Sequence, residues 1–326
     1  MTTASMTTAR PNAPVAIFCA IGASLSFSCN DVGVKFLSGG YALHEIVLFR
    51  SIIGLLFTLA VFVPMAGGFS VLKTRRPLLH LGRGLAVVST NLIFFAGLAT
   101  LPLGDAVAVF FVAPLLITGL SVIVLGEKVG PQRWIAVMVG LAGVIVIIRP
   151  GSASFTLPAL FPLVAACFYA SLHMMTRKLG TTDSAASMAF YIQCTFVVVS
   201  AVTGLTIGDG RYAGTDDTTL DFLLRQWTWP TGGDFLIMIG LGITSSLGGF
   251  LISQAYRLAQ AATVAPFEYV AMLAAIFWGF TIFGEWPDMV SWFGITMILA
   301  AGVFVMLRER QTGQEIASTR PMPRQR

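Results

Sequence analysis

The chain has 326 residues, of which 56% are hydrophobic and 11% are charged, and its formal net charge is +5. A soluble domain carries about 25% charged residues, which it needs to cover its surface with polar groups. The composition therefore excludes an ordinary soluble protein and indicates an integral membrane protein whose surface is covered by lipid.

Ten apolar segments are predicted to cross a bilayer as helices, which takes about 20 residues each. In chain order they cover residues 14–37, 43–64, 80–100, 104–125, 133–149, 157–176, 184–208, 233–256, 263–283 and 290–307. The first segment is longer than the apolar core of a signal peptide and no Ala-x-Ala-like site follows it, so we interpret it as a retained span. The expected fold is all-α, with mostly short connections between antiparallel neighbours.

Lys and Arg are distributed unevenly between the connections. If the N-terminus is cytoplasmic, only Arg149, Arg211 and Arg225 of the 20 basic residues fall outside, while Lys35 and Arg50 lie within spans. Positively charged loops stay cytoplasmic, so both termini are predicted to be cytoplasmic. This bias also accounts for the basic pI, and no basic stretch is interleaved with aromatics as nucleic-acid binding requires.

The two halves of the chain share a sequence pattern. The segments 110–147 and 268–306 both contain "VA", then "GE", a Trp seven residues after that Glu (Trp134 and Trp292), and "AGV". Five spans are an odd number, so the second copy enters the membrane from the opposite side. Such inverted repeats are common in secondary transporters, with substrate bound near the midplane; the alternative is that the duplication only builds a stable bundle.

The expected organisation follows from this repeat. It comprises a cytoplasmic tail (1–13), a first repeat (14–149), a linker (150–156), a second repeat (157–308) with a long outer loop (209–232), and a second cytoplasmic tail (309–326).

The stretches "LPLGDAVAVFFVAPLLITGLSVIVLGEKV", "GLAGVIVIIRPG" and "VAPFEYVAMLAAIFWGFTIFGEWPD" resemble the EamA branch of the drug/metabolite transporter superfamily. The resemblance covers residues 14–308 and implies a ten-helix solute carrier of a bacterial inner membrane. "VAPFEY" and "HEIVLFRS" are most similar to the subgroup that includes riboflavin and S-adenosylmethionine carriers. The resemblance therefore implies riboflavin uptake as the specific expectation, with S-adenosylmethionine uptake and amino-acid or drug export as alternatives.

Charged side chains within the spans are functional candidates, because each costs at least a few kcal/mol in a bilayer unless it finds a partner. Asp31 and Lys35 are spaced i, i+4 on one face of the first span, and Arg50 is expected to approach Asp31 or Glu45. Two interpretations remain open. These charges recognise or gate a polar solute at the outer mouth of a central cavity, or they form a structural ion-pair network between spans 1 and 2.

Polar groups in other spans extend the candidate site. Glu268 follows Pro266, where a local opening of the helix would let its carboxyl, beside Tyr269, bind a cation or exchange a proton. A bond from Glu268 to a neighbouring helix is the alternative. The remaining candidates are expected either to line a cavity or to bond between helices: Asn91, Tyr169 and His173.

Three features of the helix ends have structural interpretations. Pro114 predicts a kink, and Asp105 is expected to accept backbone amides at a helix start. Glu127 and Glu285 are expected to cap or anchor helix ends.

Other functional classes receive little support from the sequence. "TDDTTLD" (215–221) faintly resembles a Mg²⁺-binding acidic motif but stands alone, so a membrane-embedded enzyme is only an alternative, and no phosphate-binding Gly-Lys-Ser/Thr loop occurs. The four cysteines suggest neither disulfides nor a zinc site. We predict no catalytic residue, cofactor or metal, and as partners a small-molecule solute and lipid, with coupled protons and a homodimer left open.

Overall fold

The computed structural model describes residues 13–125, 130–153, 155–179, 185–258, 264 and 267–312, and within these ranges it contains helices but no strand. The α-helices, in chain order, are α1 Ala13–Leu37, α2 Leu43–Phe57, α3 Pro77–Leu98, α4 Leu103–Phe110, α5 Ala113–Leu125, α6 Pro131–Ile148, α7 Phe161–Leu179, α8 Ala185–Ile207, α9 Thr218–Leu224, α10 Gly232–Leu258, α11 Val270–Phe283 and α12 Met289–Thr312. A π-helical turn, Thr58–Phe62, continues α2 into a short α-helical segment, Val63–Met65.

Apolar helices occupy every segment that hydropathy predicts as a span. In the described part of the chain, the helices long and apolar enough to cross a membrane are Pro14–Leu37, Leu43–Met65, Pro77–Leu98, Ala186–Ile207 and Gly232–Ile252. Shorter apolar helices lie at Leu103–Ile117, Trp134–Ile148, Leu157–Leu172, Val270–Phe283 and Met289–Val305. Large apolar side chains such as Phe18 and Leu205 are 77% and 83% exposed, as expected where lipid is the solvent.

The fourth predicted span is broken at Phe111 and Val112, between α4 and α5. The ring of a proline clashes with the carbonyl four residues before it, and Pro114 stands four residues after Phe110, where α4 ends. The kink that the sequence predicts at Pro114 is therefore present as a complete interruption. The π-helical turn in the second span ends likewise just before a proline, Pro64.

Helices of the first half pack mainly against helices of the second half. The largest contacts join α1 to α10, α6 to α12, α3 to α7, and α2 to both α8 and α10. When the halves are exchanged span for span, the pair α1·α10 maps onto α7·α3, while α6·α12 and α2·α8 each map onto themselves. The largest helix contacts are thus symmetric under exchange of the two halves.

Glycines allow the closest of these contacts. A Cβ at Gly143 of α6 would lie 2.9 Å from the carbonyl oxygen of Gly294 on α12, and a Cβ at Gly242 of α10 would lie 2.8 Å from the carbonyl oxygen of Arg50 on α2. Small residues at such positions let helix backbones approach within a membrane.

The connections 38–42, 99–102, 149–153, 208–231 and 284–288 meet at one end of the bundle, which we term the Lys35 end. The long connection 208–231 is folded onto the helices, since it contains α9 and packs Trp227 against Gly204 and Gly208. Its acidic motif has structural contacts: the Asp217 side chain accepts from the backbone N–H of Leu220 and caps α9.

Candidate solute-binding site

Arg50 lies on α2 between the two halves of the molecule and is only 3% exposed. Its Nη1 donates to Oδ1 of Asn30 at 2.8 Å, and its Nη2 donates to Oδ1 of Asn91 at 3.1 Å. Both acceptors are neutral amides, so they orient the guanidinium without cancelling its charge. In the described part of the chain the Nε of Arg50 has no hydrogen-bond partner.

Phenyl rings flank the same guanidinium. Its central carbon lies 5.5 Å from the ring centroid of Phe95 and 5.3 Å from that of Phe196, distances at which an aromatic face attracts a cation. From Phe95 a row of rings with successive centroid distances of 5.6, 5.2 and 5.3 Å runs through Phe94, Phe110 and Tyr169. A fixed cation and an aromatic surface are thus adjacent.

Asn30 connects Arg50 to the second half of the molecule. While its Oδ1 accepts from Arg50, its Nδ2 donates to the carbonyl oxygen of Leu241 on α10 at 3.0 Å. The amide is 4% exposed, and with both ends bonded it can adopt only one orientation. The position of the guanidinium is therefore tied to the packing of α1 against α10.

Asp31, the next residue along α1, is half-buried and interacts electrostatically with Arg50. Over the described ranges, its carboxylate makes neither a hydrogen bond nor a contact ion pair. Asp31 and Arg50 are thus opposite charges that interact at a distance without contact.

A second polar group surrounds the start of α11. Glu268 interacts electrostatically with Tyr169 and Tyr269, and Ser24 of α1 donates to the backbone carbonyls of Phe267 and Glu268, each at 3.3 Å. The ring of Tyr269 lies 5.1 Å from that of Phe111, at the break between α4 and α5. Glu268 is thereby placed at one end of the aromatic row.

Lys35 is occupied by a different partner from the one expected. Its Nζ donates to both carboxylate oxygens of Glu285, at 2.6 and 2.7 Å, and to the carbonyl oxygen of Leu101 at 2.6 Å. Glu285 also accepts from the backbone N–H of Leu103 at 2.9 Å, which caps α4. Gly284 ends α11 in the left-handed conformation (φ 68°), and Glu285 is the next residue. The backbone that carries the Glu285 carboxylate is therefore fixed by this turn. The pair joins the two halves at the Lys35 end.

A second link between the halves lies nearby. Arg149 donates to the carboxylate of Asp288, and the hydroxyl of Ser291 donates to Asp105 at 3.0 Å. The Arg149 hydrogen bond lowers the pKa of Asp288 to about 2, and the backbone N–H of Ser291 adds to this effect. Asp105 therefore accepts from a side chain of α12 rather than from the backbone amides expected at its helix start.

Glu45 contacts the long connection and not Arg50. It is 1% exposed and accepts from the backbone N–H of Thr228 at 3.4 Å, beside the stacked rings of His44 and Trp227. At the same end, Tyr41 donates to Asp234 at 2.6 Å and Arg225 donates to the carbonyl oxygen of Ser38 at 2.9 Å. The connection 208–231 thus covers the start of α2.

Comparison with known proteins points to one family. Residues 14–149, which form the first half, match the model of the EamA-like transporter family. The first half of the chain is therefore similar to this family. The chain is a multi-pass membrane protein, in agreement with its apolar helices.

Proteins similar to this chain have names that describe different functions. It is 28% identical to an S-adenosylmethionine uptake transporter of Rickettsia felis, over 88% of this chain and 90% of the relative. It is 29% identical to a riboflavin transporter of Vibrio cholerae over 68% of each chain, and 26% identical to a pseudopaline exporter of Pseudomonas aeruginosa over 87% and 93%. A solved crystal structure, 18% identical, aligns over 93% of this chain and 99% of its own with a TM-score of 0.63, which shows a shared fold.

In this EamA-like chain, the candidates that the sequence proposes form three groups. Arg50, Asn91 and Asp31 lie together, Glu268 lies with Tyr169 and Tyr269, and Lys35 and Glu45 lie at the Lys35 end with separate partners. The expected contact of Arg50 with Glu45 is replaced by bonds to the amides of Asn30 and Asn91. The side chain of His173, and residues Glu127 and Pro266, lie outside what the structure describes.

The sequence interpretation overlooked Asn30, Phe95 and Phe196. The available signal for Asn30 was its amide, which lies within a predicted span directly beside the charge of Asp31. The two phenylalanines carry no such signal, because the chain contains 25 phenylalanines and nothing in the sequence distinguishes these two. Glu285 was expected only to cap or anchor a helix end; it caps α4 through Leu103 and also binds Lys35.

Proposed function

We propose that this chain is a secondary transporter that moves a small polar metabolite with a heteroaromatic ring across the bacterial inner membrane by alternating access. The observation that carries the proposal is the Arg50 guanidinium, buried between the faces of Phe95 and Phe196 and hydrogen-bonded to neutral amides. A cation in the membrane interior costs at least a few kcal/mol unless an opposite charge compensates it. We infer that part of the solute supplies such a charge.

Our first candidate solute is S-adenosylmethionine. An uptake transporter for it is similar to this chain over nearly its full length. The aromatic row beside Arg50 suits the stacking of an adenine ring. Riboflavin, which the sequence favours, is the second candidate, because the same row suits its flat ring system and a riboflavin transporter is also similar to this chain. Export remains the alternative direction, in view of the similar pseudopaline exporter.

The proposed topology has ten spans in two inverted repeats, with both termini in the cytoplasm and the Lys35 end facing outward. The exchange symmetry of the helix contacts and the scarcity of Lys and Arg in the connections at that end support it. In this topology Lys35–Glu285 and Arg149–Asp288 hold the halves together on the outer side. The conformation described here is therefore closed to the outside.

The test is counterflow in proteoliposomes, which detects a carrier whatever its direction. Vesicles preloaded with unlabelled S-adenosylmethionine or riboflavin are diluted into the labelled solute. We expect transient accumulation with wild-type protein, loss of it with Arg50→Gln, and retention with Phe18→Leu, a control on the lipid-facing surface. Repeating the assay under an imposed pH gradient tests coupling to protons. If folded wild-type protein exchanges neither solute under either condition, the proposed solutes are wrong.

A membrane-embedded enzyme is less well supported. In the acidic motif 215–221, Asp217 caps α9 and Asp221 pairs with Arg225, so both carboxylates have structural roles. In the described residues, no group of three His, Cys, Asp or Glu side chains is placed to hold a metal ion.

A further inference from the structure

Within the described ranges neither Arg50 nor Asp31 forms a contact ion pair, although each has a charged neighbour along its own helix. Glu45, five residues before Arg50, bonds to the connection 208–231, and Lys35, four residues after Asp31, bonds to Glu285. The neighbours that do touch the guanidinium are neutral. Glu45 and Lys35, the charged residues closest in sequence to Arg50 and Asp31 along their helices, are thus bonded to other groups. Neither of them neutralises Arg50 or Asp31 by contact.

The same helix face that carries Asp31 points into the interface between the halves. Ser24 and Lys35 lie on this face by their spacing with Asp31, and both contact the second half, at Phe267 and at Glu285. The Asp31 carboxylate is therefore positioned between these two contacts, on the side of α1 that meets α11.

Each of the two charged groups retains bonding capacity. The Nε–H of Arg50 has no partner among the described residues, and each of its terminal nitrogens has a second hydrogen beyond the one given to an asparagine. A carboxylate could take two parallel hydrogen bonds from this edge, the geometry in which guanidinium binds carboxylate best. The carboxylate oxygens of Asp31 accept no hydrogen bond from the part of the chain that the structure describes, so they are suitable acceptors for an ammonium group.

We propose that Arg50 and Asp31 together form a receptor for the zwitterionic α-amino-acid group of a solute, with Arg50 binding its carboxylate and Asp31 binding its ammonium. The inference rests on the proposed transport function and narrows its substrate class. Asn30 is a positioning residue in this receptor, because it fixes Arg50 and lies next to Asp31. The aromatic row beginning at Phe95 then receives the remainder of the solute. Riboflavin has no amino-acid group and does not match this receptor.

The experiment compares ligands altered at the amino-acid group, using purified wild-type protein in lipid nanodiscs. Competition against labelled S-adenosylmethionine is measured for unlabelled S-adenosylmethionine, for its N-acetyl derivative, which lacks only the ammonium, and for 5′-methylthioadenosine, which lacks the whole group together with the sulfonium charge. We expect the two modified ligands to compete at least about tenfold less well, the loss that corresponds to one charge-assisted hydrogen bond.

Variants then assign the two charges. Asp31→Asn should weaken S-adenosylmethionine at least about tenfold and leave the N-acetyl derivative unchanged, so that discrimination between the two disappears. Asp209→Asn, in the exposed connection, is the matched control and should behave as wild type. Melting temperatures of all variants show whether they are folded. If Asp31→Asn does not fold, the competition of the three ligands for wild-type protein still tests the receptor.

The possible results separate this inference from the proposed function. If wild-type protein exchanges S-adenosylmethionine but 5′-methylthioadenosine or the N-acetyl derivative competes equally well, the receptor is refuted and the transport function stands. If riboflavin alone is exchanged, the receptor is also refuted. If no solute is exchanged and S-adenosylmethionine does not bind, both proposals fail.

Discussion

Lys35 of the first half and Glu285 of the second half form an ion pair in which the ammonium bonds both carboxylate oxygens, at 2.6 and 2.7 Å. The side chain of Lys35 is 9% exposed and that of Glu285 is 28% exposed, so neither charge is fully solvated. Because the carbonyl of Leu101 and the amide of Leu103 join the same group, the pair connects three segments of the chain. Together with the Arg149–Asp288 pair, it joins the two halves at this end.

A double-mutant cycle tests this pair. Lys35→Met and Glu285→Gln should each lower the free energy of unfolding by about 2 kcal/mol, since each leaves a partly buried charge unpaired. The double variant should lose less than the sum of the two. The measurement is chemical unfolding in detergent micelles.

The control cycle pairs Lys35→Met with Asp31→Asn, the partner that i, i+4 spacing suggests. We expect these two effects to be additive within about 0.5 kcal/mol, because the two side chains do not bond. Strong coupling in this cycle, together with additivity in the first, would mean that the pairing described here is wrong.

Arg50→Lys provides a second prediction. The Asn30 and Asn91 amides are bonded by two different nitrogens of a planar guanidinium, a geometry that a single ammonium cannot reproduce. We expect counterflow activity to fall at least about tenfold although the charge is conserved, with one asparagine left without its donor. Arg211→Lys, on the exposed connection, should keep full activity; equal activity of both variants would show that charge alone matters at Arg50.

The Arg149–Asp288 pair leads to a prediction about pH. The pKa of Asp288 is lowered from its usual 3.8 to about 2, so its contribution to stability is complete above about pH 4 and is lost only as the pH falls through 2. The difference in melting temperature between wild type and Asp288→Asn should therefore stay constant from pH 5 to 8. A difference that shrinks with falling pH inside this window would show that the carboxylate is protonated far above pH 2.

Glycine substitutions test the packing of α6 against α12. Gly143→Ala places a Cβ 2.9 Å from the carbonyl oxygen of Gly294, so the helices must separate, and we expect a loss of about 1–3 kcal/mol. Gly240→Ala on α10 is the matched control, because nothing lies within 4 Å of the new methyl group and alanine favours helix by about 0.5–1 kcal/mol. Thermal unfolding of the two variants should shift in opposite directions.

Much of the fold can be predicted from the sequence because the bilayer imposes a simple rule. Apolar segments of sufficient length become helices, and prolines such as Pro64 and Pro114 interrupt them by removing a donor and by steric clash. Both effects depend on residues close together in the chain. The segments read from hydropathy accordingly coincide with the helices, and a break stands before Pro114.

The partners of the charged side chains could not be predicted in the same way. The i, i+4 rule describes one helix surface, whereas Glu285 is brought to Lys35 by the packing of two halves that are distant in sequence. Asn30 was overlooked for a related reason, since the cost of burying an uncharged amide is too small to mark it as exceptional. Charge identified Arg50 and Asp31 as important, but only three-dimensional packing shows that they do not touch.

The glycine contact between α6 and α12 has a consequence for motion. These helices are the fifth member of each half and touch through their backbones, so no side chain lies between Gly143 and Gly294 that could change rotamer and let one helix slide over the other. Their pairing also maps onto itself when the halves are exchanged. In the proposed transport cycle we therefore expect α6 and α12 to move as one unit, while other helices, among them α2 with Arg50, rearrange relative to them.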